Sequence, residues 1–190
     1  MKLLVLDNYD SFTYNLVHMV NELQPGLDME VRRNDKISME EVNLFDKILL
    51  SPGPGIPSEA GIMPELIHHY APTKQLLGIC LGHQAIAEAF GASLFNMTKV
   101  KHGVASTINI VKRGEALFKN VPSEMIGGRY HSWLVEPTSL NGSLEITAQD
   151  EEGNIMGLSH RDLLVKGLQF HPESVLTEHG KVIIKNWIES

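Results

Sequence analysis

The chain has 190 residues, of which 43% are hydrophobic and 21% are charged, a composition typical of one ordinary globular domain. Its formal net charge of −7 argues against nucleic-acid binding, which requires a basic stripe. The single cysteine excludes an internal disulfide and favours a reducing compartment, so we expect a cytoplasmic location. The apolar N-terminal run ends at Asp7, too early for a signal peptide or a membrane span.

Continuous apolar runs alternate with helix-compatible segments in the first half of the chain. The runs cover residues 3–6, 47–50 and 76–79, and the helical segments cover 13–23, 64–70 and 85–90. Apolar runs without polar alternation are typical of parallel strands that are buried on both faces. The pattern predicts an α/β fold with an open, mostly parallel central sheet flanked by helices, as in flavodoxin-like proteins.

The second half is more polar, which indicates a smaller, partly antiparallel section. Its predicted strands cover residues 93–95, 106–111, 144–148 and 163–170. The chain ends in a predicted amphipathic helix over 178–189, with Val182, Ile183 and Trp187 as its buried stripe. No linker or repeat interrupts the sequence, so we expect a single domain over residues 1–190.

Cys80 follows the third apolar run, and a helix-compatible segment comes directly after it. Gly78 and Gly82 lie two residues to either side. This is the pattern of a nucleophile elbow, a sharp strand-to-helix turn that exposes one side chain at the edge of a sheet. Glycine suits both flanks because the crowded turn leaves no room for Cβ atoms. A helix N-terminus favours the thiolate, so Cys80 is predicted to be a catalytic nucleophile.

A cysteine nucleophile needs a base, and His171 is the best candidate among nine histidines. Pro172 favours an extended conformation at His171, and residues i and i+2 of an extended chain point the same way. Glu173 can therefore orient the imidazole. An isolated His-Pro-Glu is more often a satisfied histidine beside a surface glutamate, but together with the elbow the motif predicts a Cys80, His171 and Glu173 triad.

A proline- and glycine-rich loop over residues 52–57 follows the second apolar run. The carboxyl ends of parallel strands meet at one edge of the sheet, so this loop should lie near Cys80. The backbone N–H groups of Gly53 and Leu81 would then form an oxyanion hole, worth about 3–4 kcal/mol per donor. The plain alternative is a rigid surface turn.

Taken together, these motifs resemble the class I (triad) glutamine amidotransferases. The residues that carry the resemblance are Gly78 to Gln84, His171 to Glu173 and Pro52 to Gly55. The segment from Asp7 to Leu16 is similar to one branch of that family, the small subunits of anthranilate synthase and 4-amino-4-deoxychorismate synthase. The Gly127-Gly128 pair departs from the family pattern and puts only loop shape in doubt.

The resemblance implies a specific role for each residue of the site. Cys80 would attack the side-chain amide of L-glutamine to form a thioester and release ammonia, while His171 moves protons. The residues implied to hold glutamine are Gly53, Pro54, Gly55, Gln84, Ser132 and Trp133. Without the resemblance, Gln84 would be interpreted as an ordinary first-turn helix residue and Ser132 as a loop hydroxyl. We expect no metal and no cofactor in this chain.

A partner is also implied, because no part of the chain remains to use the ammonia. The resemblance indicates a large, chorismate-utilising synthase subunit that forms anthranilate for tryptophan biosynthesis. Tyr9 and Asp10 would contribute to the docking face or to the ammonia exit, or would merely cap the following helix.

Several other functions remain open. The same chemistry could serve 4-amino-4-deoxychorismate synthase in folate biosynthesis, or both synthases. A γ-glutamyl hydrolase or a cysteine peptidase could also use the elbow, but neither needs the Gly53 loop paired with Gln84. A non-catalytic binding module is disfavoured by the intact triad.

Overall fold

The computed structural model describes residues 1–190 as an α/β protein. Its eleven strands are β1 (Lys2–Asp7), β2 (Asp28–Arg33), β3 (Lys47–Leu50), β4 (Gln75–Ile79), β5 (Leu94–Asn96), β6 (Val104–Ile110), β7 (Glu124–Arg129), β8 (Trp133–Val135), β9 (Leu144–Asp150), β10 (Ile155–His160) and β11 (Val165–Leu168). Its five α-helices are α1 (Thr13–Leu23), α2 (Met39–Val42), α3 (Met63–Tyr70), α4 (Leu81–Ala89) and α5 (Gly180–Glu189).

Nine strands form one mixed sheet in the order β2-β1-β3-β4-β11-β10-β9-β6-β7. The first five pair in parallel. Strands β3 and β4 are buried along their whole length, and β1 nearly so, which explains their continuous apolar runs. The ends of β1, β3, β4 and β11 meet at one border of the sheet, called here the C-terminal edge.

The other four strands extend this sheet with antiparallel pairings. The predicted antiparallel section is therefore confirmed, but it continues the central sheet and adds only a small separate pair, β5 with β8. A single bridge between Gly128 and His171 brings the end of β7 back to the C-terminal edge.

Helices cover both faces of the parallel half, as the sequence predicts. Leu3 and Val5 of β1 belong to a core cluster that includes residues of α1 and α5. Leu4 and Leu6 belong to a second cluster that includes residues of α3 and α4. Adjacent residues of β1 thus face opposite layers, as the two-residue repeat of a strand requires. None of the helices has the length and apolar character needed to cross a bilayer.

Apart from the start of α4, the predicted elements of the first half are confirmed, and two predictions need correction. In α5 the buried residues are Gly180, Ile183, Ile184, Trp187 and Ile188, while Val182 is only half-buried. Helix α4 begins at Leu81 rather than Ala85, so Cys80 directly precedes it. Strand β2 was missed because it is half-exposed and has no apolar run.

Candidate active site

Cys80 lies between β4 and α4 with φ 51° and ψ −100°, a strained conformation for a residue other than glycine. The two glycines make this turn possible. A Cβ atom on Gly78 would lie 2.3 Å from the carbonyl carbon of Gly82. A Cβ atom on Gly82 would lie 2.5 Å from the carbonyl oxygen of Leu50. The local geometry is that of a nucleophile elbow.

His171 and Glu173 form a buried pair at the same edge. Nδ1 of His171 lies 2.7 Å from Oε1 of Glu173, and both side chains are almost inaccessible to solvent. The His171 backbone N–H donates to the Gly128 carbonyl at 2.9 Å, which ties the segment after β11 to the end of β7. The two residues lie side by side as predicted, but not through extended backbone: Pro172 and Glu173 lie in a turn, which the Ser174 N–H closes by donating to the His171 carbonyl at 3.2 Å.

The charge state of His171 depends on its neighbours. Burial alone would lower the pKa of His171, but the Cys80 sulfur and the Glu173 carboxylate together raise it to about 10. The imidazole is therefore protonated at neutral pH, which places a positive charge beside the sulfur. Nε2 of His171 makes no hydrogen bond to nitrogen or oxygen, so it is available to the sulfur and to a bound substrate.

The proline- and glycine-rich loop packs against the start of α4. A Cβ atom on Gly53 would lie 2.5 Å from Cδ2 of Leu81 and 2.7 Å from Cβ of Asn8. The Asn8 side-chain amide donates to the Ser51 carbonyl at 2.8 Å and holds the loop in place. The Gly53 N–H donates to no acceptor within the chain. This arrangement suits the predicted oxyanion hole, with Gly53 and Leu81 as close neighbours.

A small pocket of about 180 Å³ opens beside Cys80. All six residues implied to hold glutamine line it, at positions 53–55, 84, 132 and 133. Val100, Lys101, His102, Tyr130 and His131 complete its wall. His171, Glu173 and Leu81 do not line this pocket. Its size suits a small molecule rather than a peptide.

Sequence reasoning missed an aromatic enclosure around His171. The ring centroid of Phe12 lies 5.3 Å from that of His171, and the Tyr130 centroid lies 4.9 Å from it. The two aromatic rings also contact each other at 4.8 Å between centroids. Nothing local in the sequence links residues 12, 130 and 171, because only the fold brings them together.

A second missed residue is Gln169, which is fully buried. Its Nε2 lies 3.6 Å from Sγ of Cys80. Gln169 lies just after β11 and two residues before His171, and this spacing from the predicted base is the signal that could have identified it.

The glycine pair before Arg129 also has a structural role. A Cβ atom on Gly127 would lie 2.8 Å from Ile108, and one on Gly128 would lie 2.8 Å from Oγ of Ser174. These glycines allow the segment that carries His171 to pack closely against β7.

Tyr9 and Asp10 differ in their surroundings. The Asp10 carboxylate accepts a hydrogen bond from the Phe12 N–H at 2.6 Å, just before α1. This contact closes a local turn before the helix and does not cap it, because the N-cap residue of α1 is Phe12 and no side chain makes a capping hydrogen bond there. Tyr9 is about half exposed, and its hydroxyl donates to Asp35 at 2.7 Å. Asp10 is half-buried, so both residues leave accessible surface, and Tyr9 presents the larger apolar area.

Comparison with known proteins agrees with this geometry. Residues 4–190 match the family model described as glutamine amidotransferase class-I. The chain is 43% identical to the aminodeoxychorismate/anthranilate synthase component 2 of Bacillus subtilis, covering 99% of this chain and 96% of that protein. The chain belongs to the class-I glutamine amidotransferase family, and it is a glutamine amidotransferase.

Two further similarities extend the comparison. The chain is 46% identical over 189 residues to the bifunctional protein TrpGD of Thermotoga maritima, but it spans only 32% of that longer protein. Among solved structures, a protein from Thermoplasma acidophilum that is described as a component of GMP synthase superposes with a TM-score of 0.88 at 27% identity. That alignment covers 100% of this chain and 92% of the other.

Proposed function

We propose that this chain hydrolyses L-glutamine at Cys80 and delivers the ammonia to a separate, chorismate-utilising synthase subunit that forms anthranilate. The observation that carries the proposal is the buried His171 and Glu173 pair beside a cysteine at a strained elbow. The B. subtilis relative, which is named for both synthases, supports the choice of acceptor.

The geometry supports a two-stage mechanism. The Cys80 thiolate attacks the side-chain carbonyl carbon of glutamine, and the Gly53 and Leu81 N–H groups stabilise the oxyanion. His171 then donates its proton to the leaving nitrogen, which departs as ammonia and leaves a γ-glutamyl thioester. In the second stage His171 takes a proton from water as the water attacks the thioester, releasing glutamate and the thiolate. The Cys80 sulfur, the His171 imidazole and the backbone N–H groups carry out every step, so the proposed mechanism requires no cofactor.

The acceptor assignment is tested with Cys80→Ser. A hydroxyl is a far weaker nucleophile than a thiolate, so glutamine-dependent synthesis by the complex should fall at least ~1000-fold. Synthesis from added ammonium salt should stay within about twofold of wild type, because the partner's own site is untouched. The measurement is the rate of aromatic product formation from chorismate with each nitrogen source. Loss of both activities would contradict the proposed role as ammonia donor.

The docking face is proposed to be the C-terminal edge, around the mouth of the pocket. Three apolar side chains are exposed there without a covering element. They are Tyr9 after β1, Val100 in the pocket wall, and Val175 just beyond Glu173. Val175 is fully exposed, which is unusual for an aliphatic residue so close to a catalytic group. A partner seated on this edge would bury these side chains and receive ammonia directly.

Val175→Asp tests this surface. A carboxylate at the centre of an apolar interface should weaken binding to the synthase partner by ~10-fold or more in a calorimetric titration. Leu164→Asp is the matched control, because Leu164 is also exposed but precedes β11 at the opposite edge of the sheet. Equal affinity of the Val175 variant and wild type would exclude this docking face.

A second candidate acceptor is 4-amino-4-deoxychorismate synthase, and the double name of the B. subtilis relative favours a chain that serves both. Mixing the protein with each candidate large subunit, glutamine and chorismate separates the alternatives by the identity of the aromatic product. Glutamine hydrolysis without transfer to either synthase would instead favour a γ-glutamyl hydrolase.

A further inference from the structure

Gln169 links the glutamine pocket to the catalytic sulfur through a line of buried hydrogen bonds. Its Oε1 accepts from Nε2 of Gln84 at 3.1 Å, and its own Nε2 faces Sγ of Cys80 at 3.6 Å. Gln84 lines the pocket and also donates to the Trp133 carbonyl at 3.0 Å. The side chain of Gln169 therefore lies between a pocket residue and the nucleophile.

Only one assignment of donors and acceptors is consistent along these hydrogen bonds, and it follows from Arg129. A guanidinium can only donate, so Nε2 of His131, 3.1 Å from Nε of Arg129, must accept. Burial and the Arg129 charge lower the pKa of His131 to about 3, so its ring is neutral. The remaining ring proton is then on Nδ1, which donates to the Trp133 carbonyl at 3.1 Å.

The Trp133 carbonyl can only accept, and this fixes the amide orientations that follow. The Gln84 atom facing it must be the amide nitrogen, which also donates to Gln169. The Gln169 atom that receives this bond must be its oxygen. The amide nitrogen of Gln169 is consequently the atom that faces the sulfur, and it can only donate.

We propose that Gln169 is a positioning residue for the nucleophile: its amide N–H donates to the Cys80 sulfur and favours the thiolate, while Gln84 holds the amide in that orientation. A hydrogen bond to an ionised acceptor stabilises the charged form. The inference rests on the proposed glutaminase function and adds to it. A substrate contact that reorients the Gln84 amide would also reorient the Gln169 amide, and would thereby change the hydrogen bond to the sulfur. His171 and Glu173 lie outside this line.

Two variants separate donation from space filling. Gln169→Glu keeps the shape and the acceptor for Gln84 but removes the donor to the sulfur and adds negative charge. Gln169→Met keeps the volume without a buried charge, so it carries the test if the Glu variant does not fold. Gln24→Glu is the matched control, because it adds the same charge at an exposed position just after α1.

The test measures the rate of Cys80 alkylation by iodoacetamide against pH in the isolated protein. The chain has one cysteine, so the signal has one source. The other titratable groups near the sulfur or in the pocket wall are unaltered in every variant; they are His171, Glu173, Tyr130, His131, Lys101 and His102. The pH of half-maximal rate should rise by about one unit in Gln169→Glu, a tenfold change in thiolate fraction, and by less in Gln169→Met. Gln24→Glu should match wild type.

Glutamine hydrolysis provides a second readout. In both Gln169 variants kcat should fall about tenfold, while KM should change less than about threefold, because the donor acts on the nucleophile. Wild-type alkylation profiles in folded Gln169→Glu or Gln169→Met would overturn the inference and leave Gln169 a packing residue. The alkylation needs neither glutamine nor a partner, so a failure of the proposed ammonia transfer would leave this result standing.

Discussion

At Cys80 the chain adopts a positive-φ backbone conformation that costs a non-glycine residue about 1–3 kcal/mol. The turn brings the thiol to the wall of the pocket, although Cys80 itself is only 6% exposed, and the adjacent residues of β4 and α4 are also buried. Gly78 and Gly82 permit it by letting strand and helix approach to distances at which no Cβ atom fits. The strain at one residue is therefore maintained by close packing on either side of it.

Gly82→Ala tests this packing. The added methyl would meet the Leu50 carbonyl oxygen at 2.5 Å, so the free energy of unfolding should fall by about 2–3 kcal/mol, with loss of glutaminase activity. Urea unfolding at pH 7 measures the change. Gly142→Ala is the control, since that glycine has φ 93° but no atom within 4 Å of an added methyl, and only its backbone strain of about 1–2 kcal/mol should appear. Full activity of Gly82→Ala would contradict the role assigned to the elbow.

Among the elements, the end of α5 is held by a residue of β3. The Lys47 ammonium donates to the carbonyl oxygens of Trp187, Ile188 and Ser190 at 2.7–2.9 Å. The last carbonyls of a helix have no intrahelical donors, and a cation there also interacts favourably with the helix dipole. Burial lowers the pKa of Lys47. The hydrogen bonds to the end of α5 therefore explain why the polar Lys47 lies in the otherwise apolar strand β3.

Lys47→Met should release this helix end. The change keeps the aliphatic stem but removes three donors, so the free energy of unfolding should fall by about 2–3 kcal/mol. Hydrogen exchange should rise at the amides of the last turn of α5, and mass spectrometry can localise it. Lys185→Met, an exposed substitution on the same helix, should change stability by less than about 0.5 kcal/mol. Similar effects of the two variants would rule out the capping role.

For the whole molecule, buried histidines couple the fold to pH. His83 on α4 is fully buried against Gly167 of β11, and neither ring nitrogen has a hydrogen-bond partner. Gly167 makes room for this ring, because a Cβ atom there would lie 2.7 Å from Nδ1 of His83. Burial lowers the pKa of His83 to about 4 and, with the Arg129 charge, that of His131 to about 3.

These two pKa values predict destabilisation in mild acid. An unfolded histidine titrates near pH 6.5, so between pH 6.5 and about 4 the unfolded chain binds protons that the folded chain excludes. The free energy of unfolding should therefore fall as pH decreases, by up to about 1.4 kcal/mol per pH unit for each histidine. His83→Leu should remove one such contribution and flatten the profile between pH 6 and pH 4.5.

Urea unfolding at several pH values measures these slopes. His68→Leu is the control, because His68 is exposed on α3 and its removal should leave the slope unchanged. A His83→Leu slope equal to that of wild type would show that His83 is not excluded from protonation in the folded chain.

The central strands and the first helix were predictable because burial on both faces and a 3.6-residue repeat leave direct traces in the sequence. Strand β1 and helix α1 follow their predicted positions closely. The sequences of the half-exposed β2 and the glycine-containing β7 show neither of these patterns. These two strands form because neighbouring strands pair with them.

By itself the sequence determined the local parts of the site: the elbow at Cys80 and the pairing of His171 with Glu173. The sequence signal for each lies within two positions of Cys80 or of His171. Only the tertiary structure decided which residues surround them, because Gln169 reaches Cys80 across 89 positions and Phe12 reaches His171 from the start of the first helix. The tertiary structure also determines that His131 is neutral, because burial lowers its pKa and no local sequence motif indicates that burial.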